Sequence, residues 1–303
     1  MAIKSLKTDV LIIGAGPAGL TAAIYVARAR KKALVLDGRS GSRLAIAYTI
    51  ENYPGFPSID SRELLGLFRK QAVSFGAEIL AGDAIAFALE GSPKYVTTKE
   101  AVIEADAVVL ATGKPMPKER LISGEDRLIG QGVSYCATCD GPLFRGARVA
   151  AVGHSEEALD DVQALHSMGV KVLWVPGRPG GVGETPKARA LESQGVTLRR
   201  EGKVKEILGE AKVESVVIET ASGTEVAAVA AVFIFREIPA GPLFERAGIT
   251  LDHKQCVAVD RFQRTNIPGV FAAGDITCGG LQVVAAAGEG CVAAMQALVY
   301  LRK

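Results

Sequence analysis

The chain lacks most of what marks a specialised surface or a metal site. Charge of one sign is missing: 35 Lys and Arg stand against 33 Asp and Glu in 303 residues, a net charge of +2. That balance argues against a dedicated nucleic-acid or membrane face. The longest apolar run beyond the N-terminus, Val226 to Phe235, is too short to span a bilayer. His154, His166 and His253 are the only histidines, and they read as surface or turn residues rather than ligands. Five cysteines, an odd number, suit a reducing cytoplasm better than a secreted disulfide framework. Aromatic residues reach only 6%, with 49% hydrophobic and 22% charged, the balance of an α/β protein rich in Ala and Gly. The length fits two domains.

What is present starts at the N-terminus. Lys4 and Lys7 precede an apolar run and superficially suggest a signal peptide, but Asp9 at its head and the Gly-rich turn that ends it predict a first strand. Val10-Leu11-Ile12-Ile13 has no helical gaps and reads as a strand buried on both faces. It enters Gly14-Ala15-Gly16-Pro17-Ala18-Gly19, then a helical stretch from Leu20 to Arg30 and a strand, Val35-Leu36-Asp37, that ends in an acid. A lone G-x-G-x-x-G is weak evidence; this one lies between strand and helix with an acid downstream, the dinucleotide-binding context. Gly14, Gly16 and Gly19 let the backbone approach a pyrophosphate at the helix N-terminus, and Asp37 is placed to accept hydrogen bonds from a ribose.

The same pattern returns half-way along the chain. The strand Arg148 to Val152 leads into Gly153-His154-Ser155-Glu156-Glu157-Ala158, a helical stretch to Met168 that Gly169 is placed to end, and a strand from Val170 to Val175. Further strands are predicted at Ala107–Leu110, Ala231–Phe235 and Gly269–Ala272. Prolines at Pro115 and Pro117, and at Pro239 and Pro242, mark crossings between domains. The expected fold is α/β with two Rossmann-like domains, the second inserted in the first: 1–117 with 246–303, and 118–245.

Within the insert lies Cys136-Ala137-Thr138-Cys139-Asp140. Two cysteines at that spacing can close a short disulfide or supply half a zinc site. The zinc reading needs a second pair, and Cys256, Cys278 and Cys291 are not spaced as one; spacing alone leaves open two cysteines that merely fill space.

Taken together, these residues resemble the low-molecular-weight thioredoxin reductases over nearly the whole chain. The matching segments are Gly14 to Gly19, Glu51-Asn52-Tyr53-Pro54-Gly55-Phe56, Ala111-Thr112-Gly113, Tyr135 to Gly141, and Pro268 to Asp275. The resemblance implies an FAD-dependent thiol-disulfide oxidoreductase in the cytoplasm, a homodimer, acting on a thioredoxin-like protein disulfide. It implies that Asn52, Thr112, Gly113, Gly274, Asp275 and Gln282 join Gly14, Gly16, Gly19 and Asp37 in holding FAD, with Asp275 on the ribitol. Cys139 would face the flavin, Cys136 would attack the substrate disulfide, and Asp140 would manage the protons. A carboxylate beside a thiolate nucleophile suits that role, and an Asp140 that only caps a turn is the alternative.

The insert departs from the family where its members hold NADPH. Ser155 replaces the second glycine of the turn, Glu156 and Glu157 follow, and Pro176-Gly177-Arg178 stands where a His-Arg-Arg cluster holds the 2′-phosphate. A side chain in the turn obstructs the pyrophosphate, the acids repel a phosphate, and the arginine fork is lost. Around the flavin, Gly41-Ser42-Arg43-Leu44 replaces Gly-Gly-Gln-Leu, and Leu281-Gln282 replaces Arg-Gln. The expected electron donor is therefore ferredoxin or a second flavin in the inserted domain. The alternatives are a conventional NADPH enzyme and a redox sensor that does not turn over. Cys256, Cys278 and Cys291 are expected to be small buried apolar residues; Arg178, Lys187 and Arg189 a solvated face; and Gly177 to Gly183 a surface loop.

Overall fold

A computed structural model describes residues 4–38, 41–47, 49–114, 121–177, 180–235 and 242–302. Pro115, Pro117, Arg178 and Pro239, which the sequence reading used, lie outside the described residues. The chain divides into two compact units, Met1–Met116 with Ile238–Lys303, and Pro117–Glu237.

The first unit opens with strand β1 (Lys4–Ile13), longer than its apolar core predicts. Its polar first half finds partners in the sheet, where Lys7 pairs with Glu104 at 2.8 Å. Helix α1 (Pro17–Arg28) begins before the predicted Leu20, because Pro at the first turn gives up only an N–H that has no intrahelical partner. It stops short of Arg30, whose φ of 58° is left-handed. Strand β2 (Ala33–Asp37), helix α2 (Ser61–Ser74, capped by Asp60), and strands β3 (Glu78–Ala81), β4 (Ala86–Ala88), β5 (Lys94–Thr97) and β6 (Ala101–Leu110) follow.

The second unit carries strand β7 (Val133–Ser134), the single turn α3 (Ala137–Asp140), strand β8 (Arg148–Val152), helix α4 (Glu156–Ser167), strand β9 (Lys171–Val175), helix α5 (Pro186–Ser193) and strands β10 (Thr197–Leu198), β11 (Lys203–Leu208), β12 (Ser215–Thr220), β13 (Gly223–Ala228) and β14 (Ala231–Ile234). A parallel sheet runs β10-β9-β8-β14-β7, and β11-β12-β13 form an antiparallel one. Val204, Ile207, Val216 and Ile218 share a core with Ala150, Leu173 and Val232, while α4 and α5 cover the other face through Leu159, Val162, Leu165 and Leu191. The Gly-rich segment after β9 is not wholly a surface loop: Gly181–Glu184 makes a 3₁₀ turn and Gly183 is buried, under Pro176. Lys187 and Arg189 are exposed.

The chain then returns to the first unit with helix α6 (Pro242–Glu245), strand β15 (Val270–Ala272) and helix α7 (Val283–Tyr300). The sheet there runs β3-β2-β1-β6-β5-β4. Ten-residue β6 takes antiparallel β5 along its first half and parallel β15 along its second. Val10, Ile12, Val35 and Val109 face α1, α2 and α7; Leu11, Ile13, Leu36 and Leu110 face Phe244, Ile249 and Val257. Burial on both faces is why these strands read as unbroken apolar runs. Helix α7 alone among the described residues is long and apolar enough, by length and composition, to cross a membrane, although Gly288, Glu289 and Gly290 interrupt its apolar run. Its Ala286, Gly290, Ala293, Ala294 and Ala297 are buried, and a Cβ on Gly290 would come within 2.1 Å of the Ala18 carbonyl oxygen of α1.

Candidate active site

Two sites emerge, one in each unit. In the first unit the turn between β1 and α1 is built for close approach. Gly14 has φ 117°, and a Cβ there would lie 2.2 Å from the Ala111 carbonyl oxygen. A Cβ on Gly19 would strike the Gly14 carbonyl oxygen at 1.9 Å. Gly16 is different: a Cβ there meets only Ser42 Oγ, at 3.4 Å. Gly16 is also the N-cap of α1, with no side-chain cap bond and no acid in the first turn. Gly14 and Gly19 are thus glycines for the protein's own packing, whereas Gly16 leaves open space over uncapped helix N–H groups, where an anion fits.

Around this turn the structure gathers residues far apart in sequence. Asp37, at the end of β2, is paired with Arg69 of α2, a partner that the sequence reading did not include. Asn52 Nδ2 donates to Gln282 Oε1 at 3.1 Å across 230 residues. Thr112 and Gly113 follow β6, Thr112 exposed and Gly113 at φ 65°. Gly274 (φ 83°) follows β15 and leads into Asp275. Burial lifts the Asp275 carboxyl above the usual carboxylate range, and the positive charges of Arg43 and Lys114 oppose that rise. Arg43, noted in the sequence only as a departure, is therefore an electrostatic partner of Asp275.

Glu289 was missed altogether. It is a carboxylate of α7 that accepts the Gly274 N–H at 2.7 Å and the Thr277 hydroxyl at 2.9 Å. Burial raises its carboxyl and these two donors counter it. An acid seven residues from the nearest predicted site residue, Gln282, and on no shared motif gave no signal in the sequence. Cys256 and Cys278, expected to be small buried apolar residues, instead form a disulfide, with Cα atoms 6.0 Å apart and Cys256 buried. Twenty-two residues separate them in sequence, and only the tertiary fold brings them together. Cys291 is a free, half-buried thiol.

In the second unit Cys136 and Cys139 are joined, with Cα atoms 5.3 Å apart. Cys136 caps α3, and its Sγ accepts the Cys139 N–H at 3.2 Å. An N–H aimed at that sulfur favours its thiolate once the bond is opened. Asp140 is buried, and its carboxyl is pushed up to about 6, chiefly by desolvation. The Ser134 hydroxyl, on β7, donates to Asp140 Oδ2 at 2.5 Å and accepts the Cys136 N–H at 3.2 Å. Ser134 is a further residue with no signal in the sequence, and it ties the acid to the backbone of the redox pair.

The chain's second nucleotide-like turn, in this unit, is closed on itself. Ser155 Oγ accepts the Ala158 N–H at 3.1 Å and caps α4, whose first turn carries Glu156 and Glu157. The Gly153 carbonyl accepts Trp174 Nε1–H at 3.0 Å. A Cβ on Gly153 would lie 2.8 Å from both Ala158 Cβ and the Phe235 carbonyl oxygen, so this glycine serves internal packing.

Residues 8–290 match the family model described as pyridine nucleotide-disulphide oxidoreductase. Thioredoxin reductase of Listeria innocua is 37% identical over 311 residues, covering 100% of this chain and 97% of that protein. Among solved structures, thioredoxin reductase from Streptococcus pyogenes superposes with a TM-score of 0.88 at 32% identity, covering 98% of both chains. Thioredoxin reductase from Giardia duodenalis superposes with a TM-score of 0.88 at 28% identity, covering 98% of this chain and 100% of that one.

Proposed function

The chain belongs to the thioredoxin reductases of the pyridine nucleotide-disulphide oxidoreductase family, and we propose that it passes electrons from FAD through Cys136–Cys139 to a thioredoxin-like protein disulfide, with a donor other than NADPH. It is a flavin-dependent disulfide oxidoreductase. The observation that carries the reading is the Cys136–Cys139 disulfide with the buried acid Asp140 bonded to it through Ser134.

The uncapped N-terminus of α1 and the open space at Gly16 fit the pyrophosphate of FAD, and Asp275 with Asn52, Gln282, Thr112 and Gly113 completes the set for the rest of the cofactor. When bound, FAD supplies the two electrons that open the Cys136–Cys139 bond. Cys136 then keeps the Cys139 N–H on its sulfur and serves as the attacking thiolate. It forms a mixed disulfide with the substrate, expelling one substrate thiolate. Cys139 attacks Cys136 Sγ, the mixed disulfide breaks and the second substrate thiolate leaves. Asp140, with its proton held up to about pH 6, gives and retrieves the protons that these thiolates exchange. The enzyme works as a homodimer in a reducing cytoplasm.

The closed turn of the second unit supports the donor assignment. Ser155 already occupies a helix N–H that a dinucleotide phosphate would take, and Glu156 and Glu157 oppose a dianion by about 1 kcal/mol each at a partly exposed site. Ferredoxin, or a second flavin held by this unit, is the donor. The test is whether the holoprotein reduces thioredoxin after dithionite or photoreduction but not with NADPH. Reduction of thioredoxin at full rate with NADPH would restore the conventional reductase, and failure with every reductant would leave the redox sensor.

A further inference from the structure

We propose that the Cys256–Cys278 disulfide is a second redox site, a switch on the first unit that a reduced protein dithiol opens to loosen the loop carrying Asp275. The inference rests on the reading above that this loop holds FAD.

The loop 274–282 is held at a few points. Gly274 N–H and the Thr277 hydroxyl bond Glu289, the Ile276 carbonyl accepts Val257 N–H at 2.9 Å, and Gln282 meets Asn52. Cys278 lies three residues past Asp275 and is tied to Cys256, the neighbour of Val257. The disulfide is therefore the one covalent clamp described on this segment, beside the bond from Val257. The backbone it clamps is unfavourable: Cys278 has φ 58° and Leu281 has φ 52°. Two side-chain-bearing residues in the left-handed region within four positions persist only where surrounding bonds hold them. Opening the clamp frees Cys278 to leave that conformation and Asp275 with it.

The two sulfurs are also unequal. Cys256 is buried at 3% exposure, whereas Cys278 is only half-buried, so the proposed attack is at Cys278. Attack at Cys278 Sγ breaks the Cys256–Cys278 bond, and Cys256 leaves as a thiolate that takes one proton. Its Sγ lies 3.6 Å from the Lys254 carbonyl oxygen, an acceptor for the new thiol. The second thiolate of the dithiol then attacks its own partner sulfur and releases Cys278, which takes the second proton. The dithiol ends as a disulfide and the pair gains two electrons and two protons. The dithiol is of the class that Cys136–Cys139 produces, so accumulating product slackens the flavin site.

The experiment uses the FAD-loaded Cys136→Ser/Cys139→Ser protein, in which the second pair is the remaining disulfide. Differential alkylation with peptide mass mapping reads the thiols, and FAD fluorescence reads cofactor release, before and after reduced thioredoxin or dithiothreitol. We expect Cys256 and Cys278 to be linked in air and to become labelled together on reduction, with FAD release faster by roughly tenfold, equivalent to about 1.4 kcal/mol. Cys256→Ser added to that background should release FAD at the fast rate without reductant. Labelling of both thiols in air, persistence of the bond under excess dithiol, or opening with unchanged FAD release would each overturn the proposal. Protein that opens the pair but never binds FAD would instead overturn the flavin reading, and the switch with it.

Discussion

Replacing Ser134 by Ala removes the one hydroxyl that donates to Asp140 Oδ2. The carboxyl titrates at about 6 because burial raises it from 3.8 while this hydrogen bond pulls it down. A buried hydrogen bond to a charge contributes about 1.5–3 kcal/mol, and one pKa unit is about 1.36 kcal/mol. Ser134→Ala should therefore lift Asp140 by about one to two units and carry the pH dependence of thioredoxin reduction with it. The sign for stability follows. A carboxyl raised in the folded state stabilises the fold below its unfolded value of 3.8, and that contribution, about 3 kcal/mol, is lost as pH rises to about 6. The variant loses more, and loses it over a range extending further upward. The measurement is an NMR titration of the Asp140 carboxyl beside single-turnover rates from dithionite-reduced protein. Ser134→Thr, which keeps the hydroxyl, should restore the wild-type midpoint. The reasoning is refuted if the Asp140 midpoint does not move in Ser134→Ala, or if the rate profile shifts equally when Asp140→Asn is already present.

Gly16→Val should leave the protein folded but free of FAD, seen as a colourless product with the thermal transition of the FAD-free wild type, because the added Cβ meets only Ser42 Oγ, at 3.4 Å. Gly14→Ala should instead fail to fold stably, since its Cβ overlaps the Ala111 carbonyl. Cys139→Ser should block electron exchange with the flavin, while Cys136→Ser should leave a lone thiol facing the flavin that cannot reach thioredoxin, so both lose turnover; wild-type rates in both variants would make the pair structural. Stopped-flow absorbance should show slow or absent flavin bleaching by NADPH and NADH and immediate bleaching by dithionite, and full bleaching by micromolar NADPH within one turnover would refute the donor assignment. Cys256→Ser should lower stability by roughly 3 kcal/mol in air, from the entropy of the closed 22-residue loop, and by nothing once the wild type is reduced.

The sequence by itself determined the features whose physics is local. Unbroken apolar runs at Val10 to Ile13 and Val149 to Val152 became strands buried on both faces, and Gly14 to Gly19 became the turn between strand and helix, because period and backbone freedom are written within a few residues. The C-x-x-C pair was legible for the same reason: its spacing closes the ring without help from the rest of the chain. The structure decided what depends on distance through space. Asn52 finds Gln282 across 230 residues, and Arg43 acts on Asp275 across an even larger gap in sequence, only because the fold of the first unit brings each pair together. Ser134 belongs to a short strand with no motif of its own, yet β7 sets its hydroxyl against a buried acid. Cys256 and Cys278 looked like filler because pairing across 22 residues is set by the antiparallel return at Leu251 and Val257 and by the bond from Val257 to Ile276. Local rules place the glycines, strands and nearby cysteines; burial and long-range hydrogen bonds choose the partners that tune them.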